Sequence, residues 1–504
     1  MLQFSQAPTS RRTITEPSTS LACSWSSQPA TSFHGQQIGH SRPSDQSQLA
    51  KMPSATRPEP PREVWTSEKG SMARETATTR WPKIVQNMVD DLEESFGQSD
   101  NKEHIEEGRR IQATLRIIKG EIMQDNQLHP LSSDGCPDIQ TYNAQLESFS
   151  NITWHNCPWL FAECYLYRCV QTLFARSQFW RDYDIFARQK LSAFIASHTA
   201  VQELSERYVS LTEATGALTT AKATNDTEAE RLLFSEMTEV ALWGNATDLS
   251  LLSALTSSSL DDLRSLQGSA AIREGQARIV SNDVPAAWDY LRSHRGAPQR
   301  RVDVVLDNAG FELLTDLVYA LYLLDAGLAS AVRLHVKAMP WFVSDVTPRD
   351  MDVLLSALAD PAVFPGAGNP SVQELVKRLR ACCESGLVSV AEHAFWTTGF
   401  DFQALPEVAP ELHRDLLDSA LVVFKGDLNY RKLVQDANWP HTTSFKDAIG
   451  PLRGGLKILA LRTNKADVCV GLTKEMMDRV EEEAPGKAWV RNGRYAVISF
   501  SDGI

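Results

Sequence analysis

Acid and amide side chains recur just after short apolar runs in the second half of this 504-residue chain. The run Val302–Leu306 leads into Asp307-Asn308-Ala309-Gly310, and Glu312 and Asp316 follow in the opening turns of a helical pattern. Another acid, Asp345, lies in Trp341-Phe342-Val343-Ser344-Asp345-Val346-Thr347, again just ahead of a helix. Two carboxylates and one amide oxygen suit a hard divalent cation such as Mg²⁺ or Mn²⁺, with positions left open for water and substrate, better than they suit zinc. The same residues equally fit a plainer role, because Asp and Asn at these places close Asx turns and cap helices. Positive charge follows two further runs, in Lys425-Gly426-Asp427-Leu428-Asn429-Tyr430-Arg431-Lys432 and in Arg462-Thr463-Asn464-Lys465. Arg431 offers a planar fork for phosphate or carboxylate oxygens, Lys465 is a compact cation, and Gly426 lets backbone approach a ligand. Pairing with helix C-termini is the plainer reading of these cations.

These residues reach one place only if the elements around them bring strand ends together. After residue 300, short apolar runs alternate with amphipathic helices, the mark of an α/β unit with a largely parallel sheet. The expected strands are Val302–Leu306, Ala331–Val336, Val388–Ala391, Ala420–Phe424, Lys457–Leu461 and Tyr495–Phe500. The expected helices are Phe311–Leu324, Pro348–Leu358, Ser371–Cys382 and Lys474–Glu483, with Thr347 and Asp350 spaced as a capping box around Pro348. Arg491-Asn492-Gly493-Arg494 reads as a turn between two final edge segments. In open parallel sheets ligands bind beyond the carboxyl ends of the strands, where the acids and cations fall.

Residues from about 76 to 290 read as helical, starting at Pro82 with Ile84, Met88, Leu92 and Phe96 four apart and closing at Gly97. Within them Glu163, Tyr167 and Arg168 carry chemistry-bearing groups, but an Arg–Glu pair in a half-buried helix reads as structural. Residues 1–60 hold 12 Ser, 6 Thr and 7 Pro with no apolar periodicity, the composition of a disordered extension. The expected organisation is a disordered extension over 1–70, an all-helical domain over 71–295, and a Rossmann-like α/β/α domain with a mostly parallel sheet over 296–504.

Composition removes several function classes. The charge of −13 and the absence of an eighteen-residue apolar run speak against nucleic-acid and membrane partners. Eight cysteines without a C-x-x-C pair outline neither a disulfide framework nor a zinc ribbon, which suits a reducing compartment. A cytoplasmic location is expected, with the nucleus open and mitochondrial targeting by residues 1–70 as the alternative. Gly366-Ala367-Gly368 lacks the third glycine of a dinucleotide fingerprint, and no P-loop, G-x-S-x-G or H-E-x-x-H pattern occurs. His335 and His441 lack ligand-spaced partners and read as a strand and a loop residue, while Trp341, Trp396 and Trp439 are candidates for pocket walls or core.

Leu306-Asp307-Asn308-Ala309-Gly310-Phe311-Glu312, Phe342 to Thr347, Gly426 to Leu433 and Arg462-Thr463-Asn464-Lys465 together resemble the damage-control phosphatases of subfamily III. That branch carries an R-T-x-K motif and includes sugar-phosphate phosphatases and the acidic residue methyltransferase-like members. The resemblance covers about residues 72–504. It implies a helical domain packed on a Rossmann-like domain and a phosphatase supported by Mn²⁺, Co²⁺ or Ni²⁺. Carried over residue by residue, it makes Asp307, Asn308 and Asp345 the metal ligands. Glu312, Asp427, Leu428, Asn429, Tyr430, Arg431 and Lys465 become substrate contacts. The expected reaction is hydrolysis of a small phosphorylated metabolite such as fructose 1-phosphate or fructose 6-phosphate. Water on the metal is the expected nucleophile, with Asp307 as the alternative and Glu312 or Asp345 as base, while Lys465 and Arg431 clamp the phosphoryl group. Two other functions stay open: S-adenosylmethionine-dependent O-methylation of protein glutamates, and metabolite binding without catalysis. Oligomeric state is not legible.

Overall fold

A computed structural model describes residues 61–244 and 275–504. A mostly helical N-terminal region leads into an α/β fold around one seven-stranded sheet. Its strands are β1 (Ile279–Asn282), β2 (Arg301–Val305), β3 (Ala331–Val336), β4 (Val388–Glu392), β5 (Leu421–Lys425), β6 (Ile458–Thr463) and β7 (Ala496–Ser501). They lie in the order β1-β7-β6-β5-β2-β3-β4. From β6 to β4 every neighbouring pair is parallel; β7 runs antiparallel to β6 and carries β1 parallel to itself. β2 has its sequence successor β3 on one side and the later β5 on the other. The chain therefore reverses its direction of winding between β2 and β5, and a crevice opens there at the carboxyl ends.

The strands form where β-branched and aliphatic runs are buried on both faces, as parallel sheets require. Val302, Val304 and Leu306 face one core together with Leu421, Val423 and helices between Phe194 and Trp243. Val305, Val422 and Phe424 face the other core. The six expected strands are all present, displaced by no more than two residues at either end. β1 is the one the periodicity did not show, since Ile-Val-Ser-Asn is too short to declare a period. It lies inside the range read as helical, and its addition makes β7 an internal strand rather than the edge expected after Arg491–Arg494.

The helical residues contribute to two different layers. Helices between Trp81 and Ala175 build a core of their own that also takes in Trp341, Leu428 and Ala466 from the α/β region. Helices His198–Thr212 and Thr227–Trp243 instead pack on the sheet and cover one of its faces. Gly108 shows how close the first group packs, since a Cβ there would lie 2.5 Å from Phe96 and 2.7 Å from Trp180.

The expected extension over 1–70 needs correction at its inner end. Residues 1–60 lie outside the described residues, but 61–70 belong to the folded body. Val64 N–H donates to Asp436 O at 3.0 Å, Val64 O accepts from Trp159 N–H at 2.9 Å, and Thr66 N–H donates to Cys157 O at 2.9 Å. Val64 and Thr66 are buried. These strand-like links tie the segment to both regions, and composition averaged over a long window hid them. Deleting residues 1–70 is therefore expected to lower the melting temperature by several degrees relative to deleting 1–60. Equal melting of the two truncations in a thermal scan would show that the links contribute nothing.

Candidate active site

The crevice between β2 and β5 is closed by Asp307 on one side and Gly426 on the other. Gly426 has φ +82°, and a Cβ built on it would lie 1.9 Å from Asp307 Oδ2. Only glycine takes that backbone conformation freely and leaves room for the carboxylate. Gly426→Ala is accordingly expected to displace Asp307 and cut turnover about 100-fold, the cost of roughly 1 Å of misplacement at a reacting centre. Unimpaired turnover in that variant would show that the position of Asp307 does not matter.

Asn308 and Asp345 meet through an isolated antiparallel bridge. Backbone bonds stitch the two loops together: Val346 N–H donates to Asp307 O at 2.8 Å, and Ala309 N–H to Ser344 O at 2.7 Å. Ser344 Oγ donates to Asn308 Oδ1 at 2.5 Å, while Asn308 Nδ2 donates to Asp307 Oδ2 at 2.8 Å and to Glu312 Oε2 at 2.7 Å. The amide NH₂ thus stands between two carboxylates. Glu312 Oε1 accepts from Lys425 Nζ at 3.2 Å, and Lys425 also holds Asp316 at 2.5 Å and the carbonyl of Ala241 at 2.7 Å. On the other side Lys337 Nζ stands 3.2 Å from Asp345 Oδ2 in a buried ion pair.

So many buried acids perturb one another. Burial, followed by the charges of Glu312 and Asp345, pushes the Asp307 carboxyl well above the usual range, against the pull of Lys337 and Lys465. Burial raises Asp345 to about 6 and Asp316 to about 7, the latter despite Lys425. A site in which carboxylates resist ionising is short of positive charge, and perturbations of this kind concentrate at functional sites.

The donor set fits a divalent cation. Asp307 and Asp345 bring carboxylate oxygens to one strand edge, where Lys337 pairs with only one of the two oxygens of Asp345. The Asn308 amide oxygen is turned to Ser344, and a bound cation would require the amide to flip, which the Ser344 hydroxyl, able to donate or accept, permits. No group of three or more His, Cys, Asp or Glu among the described residues makes a ready-made cage. With the amide flipped, the two acids and Asn308 would form an open oxygen site instead.

The other expected site residues divide. Glu312 is in the constellation, and Lys465 is close enough for its charge to act on Asp307. Asp427 is one step removed, where its Oδ1 accepts from Arg462 Nε at 2.8 Å and from Lys465 N–H at 3.0 Å, fixing the loop that carries Lys465. The side chains of Leu428, Asn429, Tyr430 and Arg431, expected as substrate contacts, all have partners within the protein. They lie in the helix Gly426–Leu433, whose residues 428–433 are all buried. Leu428 packs in the helical region's core. Asn429 Nδ2 donates to the carbonyls of Val305, Leu306 and Lys425, and Tyr430 lies in the core beneath the Arg462 guanidinium. Arg431 bonds Glu163 Oε2 at 3.0 Å and Asp436 at 3.1 and 2.7 Å, and lies over the Trp159 ring at 3.7 Å. Two carboxylates already neutralise it, and it bonds the helical region to the α/β region.

Lys337, Ser344 and the Lys425 pairing were not picked out by motif. Lys337 directly follows β3, so the rule that led to Asp307 was sufficient to find it. His335 pairs with Asp303 at 2.8 Å inside the sheet, and Trp396 packs on its ring.

A mostly parallel sheet with acids and a lysine gathered at its switch point makes this a Rossmann-like α/β fold. Residues 76–480 match the damage-control phosphatase ARMT1-like domain, and the chain belongs to that family. It is 32% identical over 459 residues to damage-control phosphatase ARMT1 of Danio rerio, covering 88% of this chain and 97% of that protein. It is 31% identical to the Xenopus tropicalis protein of the same name, over 88% of this chain and 100% of that protein. Among solved structures it is similar to a DUF89 family protein from Pyrococcus horikoshii, at 13% identity and a TM-score of 0.37, covering 78% and 91% of the two chains.

Proposed function

We propose that this protein is a divalent-metal-dependent phosphatase of small phosphorylated metabolites, with sugar phosphates such as fructose 1-phosphate and fructose 6-phosphate as substrates. Family membership supports a phosphatase in general. The observation that carries the finer reading is the meeting of Asp307, Asn308 and Asp345 at the β2/β5 switch point, within electrostatic reach of Lys465. Asp307, Asn308 and Asp345 would hold the ion, of which Mn²⁺, Co²⁺, Ni²⁺ and Mg²⁺ all accept oxygen donors. A bound ion supplies Lewis-acid polarisation of a phosphoryl oxygen and a water of lowered pKa. The protein's own part is to fix the oxygens, to exclude bulk water by packing the helical region over the strand ends, and to place Lys465 against developing phosphoryl charge. Asp345, held near 6 before cation binding, and Glu312 are the groups placed to accept a proton.

The test is phosphate release and methyl transfer measured in parallel on purified protein, with chelator and with added Mn²⁺. Metal-dependent phosphate release is expected; methyl transfer without phosphate release would overturn the reading. Lys465→Ala separates substrate charge from metal binding. It leaves the oxygen ligands in place, so Mn²⁺ affinity by calorimetry should hold while kcat falls about 10²- to 10³-fold, the usual effect of losing one transition-state charge partner. Full turnover in this variant would remove Lys465 from the phosphoryl site.

A further inference from the structure

Lys337 is the first residue after β3 and only 1% exposed. It touches three parts of the site at once. Its Nζ donates to the carbonyl of Leu306 at 2.6 Å, just ahead of Asp307, and stands 3.2 Å from Asp345 Oδ2. Its backbone N–H donates to Val346 O at 2.8 Å, just after Asp345. The loop it holds is not at rest: Phe342 has φ +43° and Val343 φ +73°, and a β-branched residue in the left-handed region is strained. A loop of that shape persists only where contacts impose it.

Resting on the cation-site reading above, we propose that Lys337 is a positioning residue that fixes Asp345 against Asp307 and turns one carboxylate oxygen of Asp345, rather than both, to the metal. Its side chain occupies the neighbourhood of Oδ2 and its bond to Leu306 O ties the β2 and β3 ends into one rigid edge. Simple electrostatics assigns Lys337 the opposite effect. A buried ammonium beside a ligand repels a divalent ion, so its loss should tighten metal binding. If positioning dominates, the sign reverses: once the strained loop relaxes, Asp345 leaves its place and the ion loses a ligand.

The measurement is calorimetric titration of Mn²⁺ into the full-length protein and its variants at pH 8.5, with thermal melting as a check of folding. Lys337→Met is expected to weaken Mn²⁺ binding tenfold or more. Lys337→Arg keeps the charge but brings a longer, planar head into a fully packed site, and is expected to weaken binding at least threefold. Tighter or unchanged affinity in folded Lys337→Met overturns the proposal and leaves Lys337 a charge partner or a purely structural residue. If the methionine variant does not fold, unchanged affinity in Lys337→Arg overturns it instead. Wild-type protein that takes up no Mn²⁺ would remove the cation-site reading itself, an outcome separate from both.

Discussion

Asp307→Ala is expected to abolish Mn²⁺ binding and to reduce phosphate release by about 10³-fold, or roughly 4 kcal/mol of transition-state stabilisation, while leaving the protein at least as stable as the wild type in the absence of metal. The two effects have one cause. Asp307 is buried among Glu312 and Asp345, and both burial and their charges hold its folded pKa above the unfolded value. A carboxyl raised in this way opposes folding once it ionises: its contribution is favourable at low pH and is lost as pH rises from the unfolded pKa through the folded one. For Asp345, raised to about 6, that window runs from about 4 to above 6. Once ionised, the metal-free site therefore works against the fold, and the proposed cation would relieve it. Removing Asp307 would relieve it too, but would take away one of the few proposed ligands. Added Mn²⁺ should raise the melting temperature of the wild type more at pH 8 than at pH 5, and that of Asp307→Ala at neither. A metal-free Asp307→Ala protein that melts well below the wild type, with Mn²⁺ affinity intact, would show an ordinary helix cap in place of a ligand.

Arg431→Ala should produce the opposite pattern, a large loss of stability with the cation site intact. The guanidinium is buried, bonded to Glu163 and Asp436 and stacked on Trp159. Removing one member of such a network strands the other charges away from water, at about 3–5 kcal/mol. Glu163 also accepts from Trp81 Nε1 at 3.3 Å, so the loss reaches into the first long helix. Denaturant unfolding should show a lower midpoint, and calorimetry an Mn²⁺ affinity close to wild type. Glu163→Gln in the Arg431→Ala background should recover part of the loss, since it removes a stranded charge. Unchanged stability with a raised KM for substrate would instead return Arg431 to the phosphate.

The contrast between these two residues shows how far a sequence of this kind is legible. Asp307 and Arg431 both follow an apolar strand, and by type and spacing both looked equally fit to meet a phosphorylated ligand. Strand and helix periods depend on local patterns of burial, so six strands and the capping box at Thr347 and Asp350 could be read directly, as could the idea that polar residues after strands gather at one edge. β1 escaped because four residues carry too little pattern, and its pairing with β7 links segments more than two hundred residues apart.

By itself the sequence determined the class of fold, the family motifs, and the residue types at the strand ends, because these depend on composition and period. The tertiary structure alone decided which of those residues come together. Neutralisation and pKa depend on distances between side chains far apart in the chain: Arg431 is spent on Glu163, 268 residues earlier, while Lys337 meets the Leu306 carbonyl from 31 residues away. It also decided that Gly426 presses on Asp307, a contact across the switch point that exists only once β5 has paired with β2.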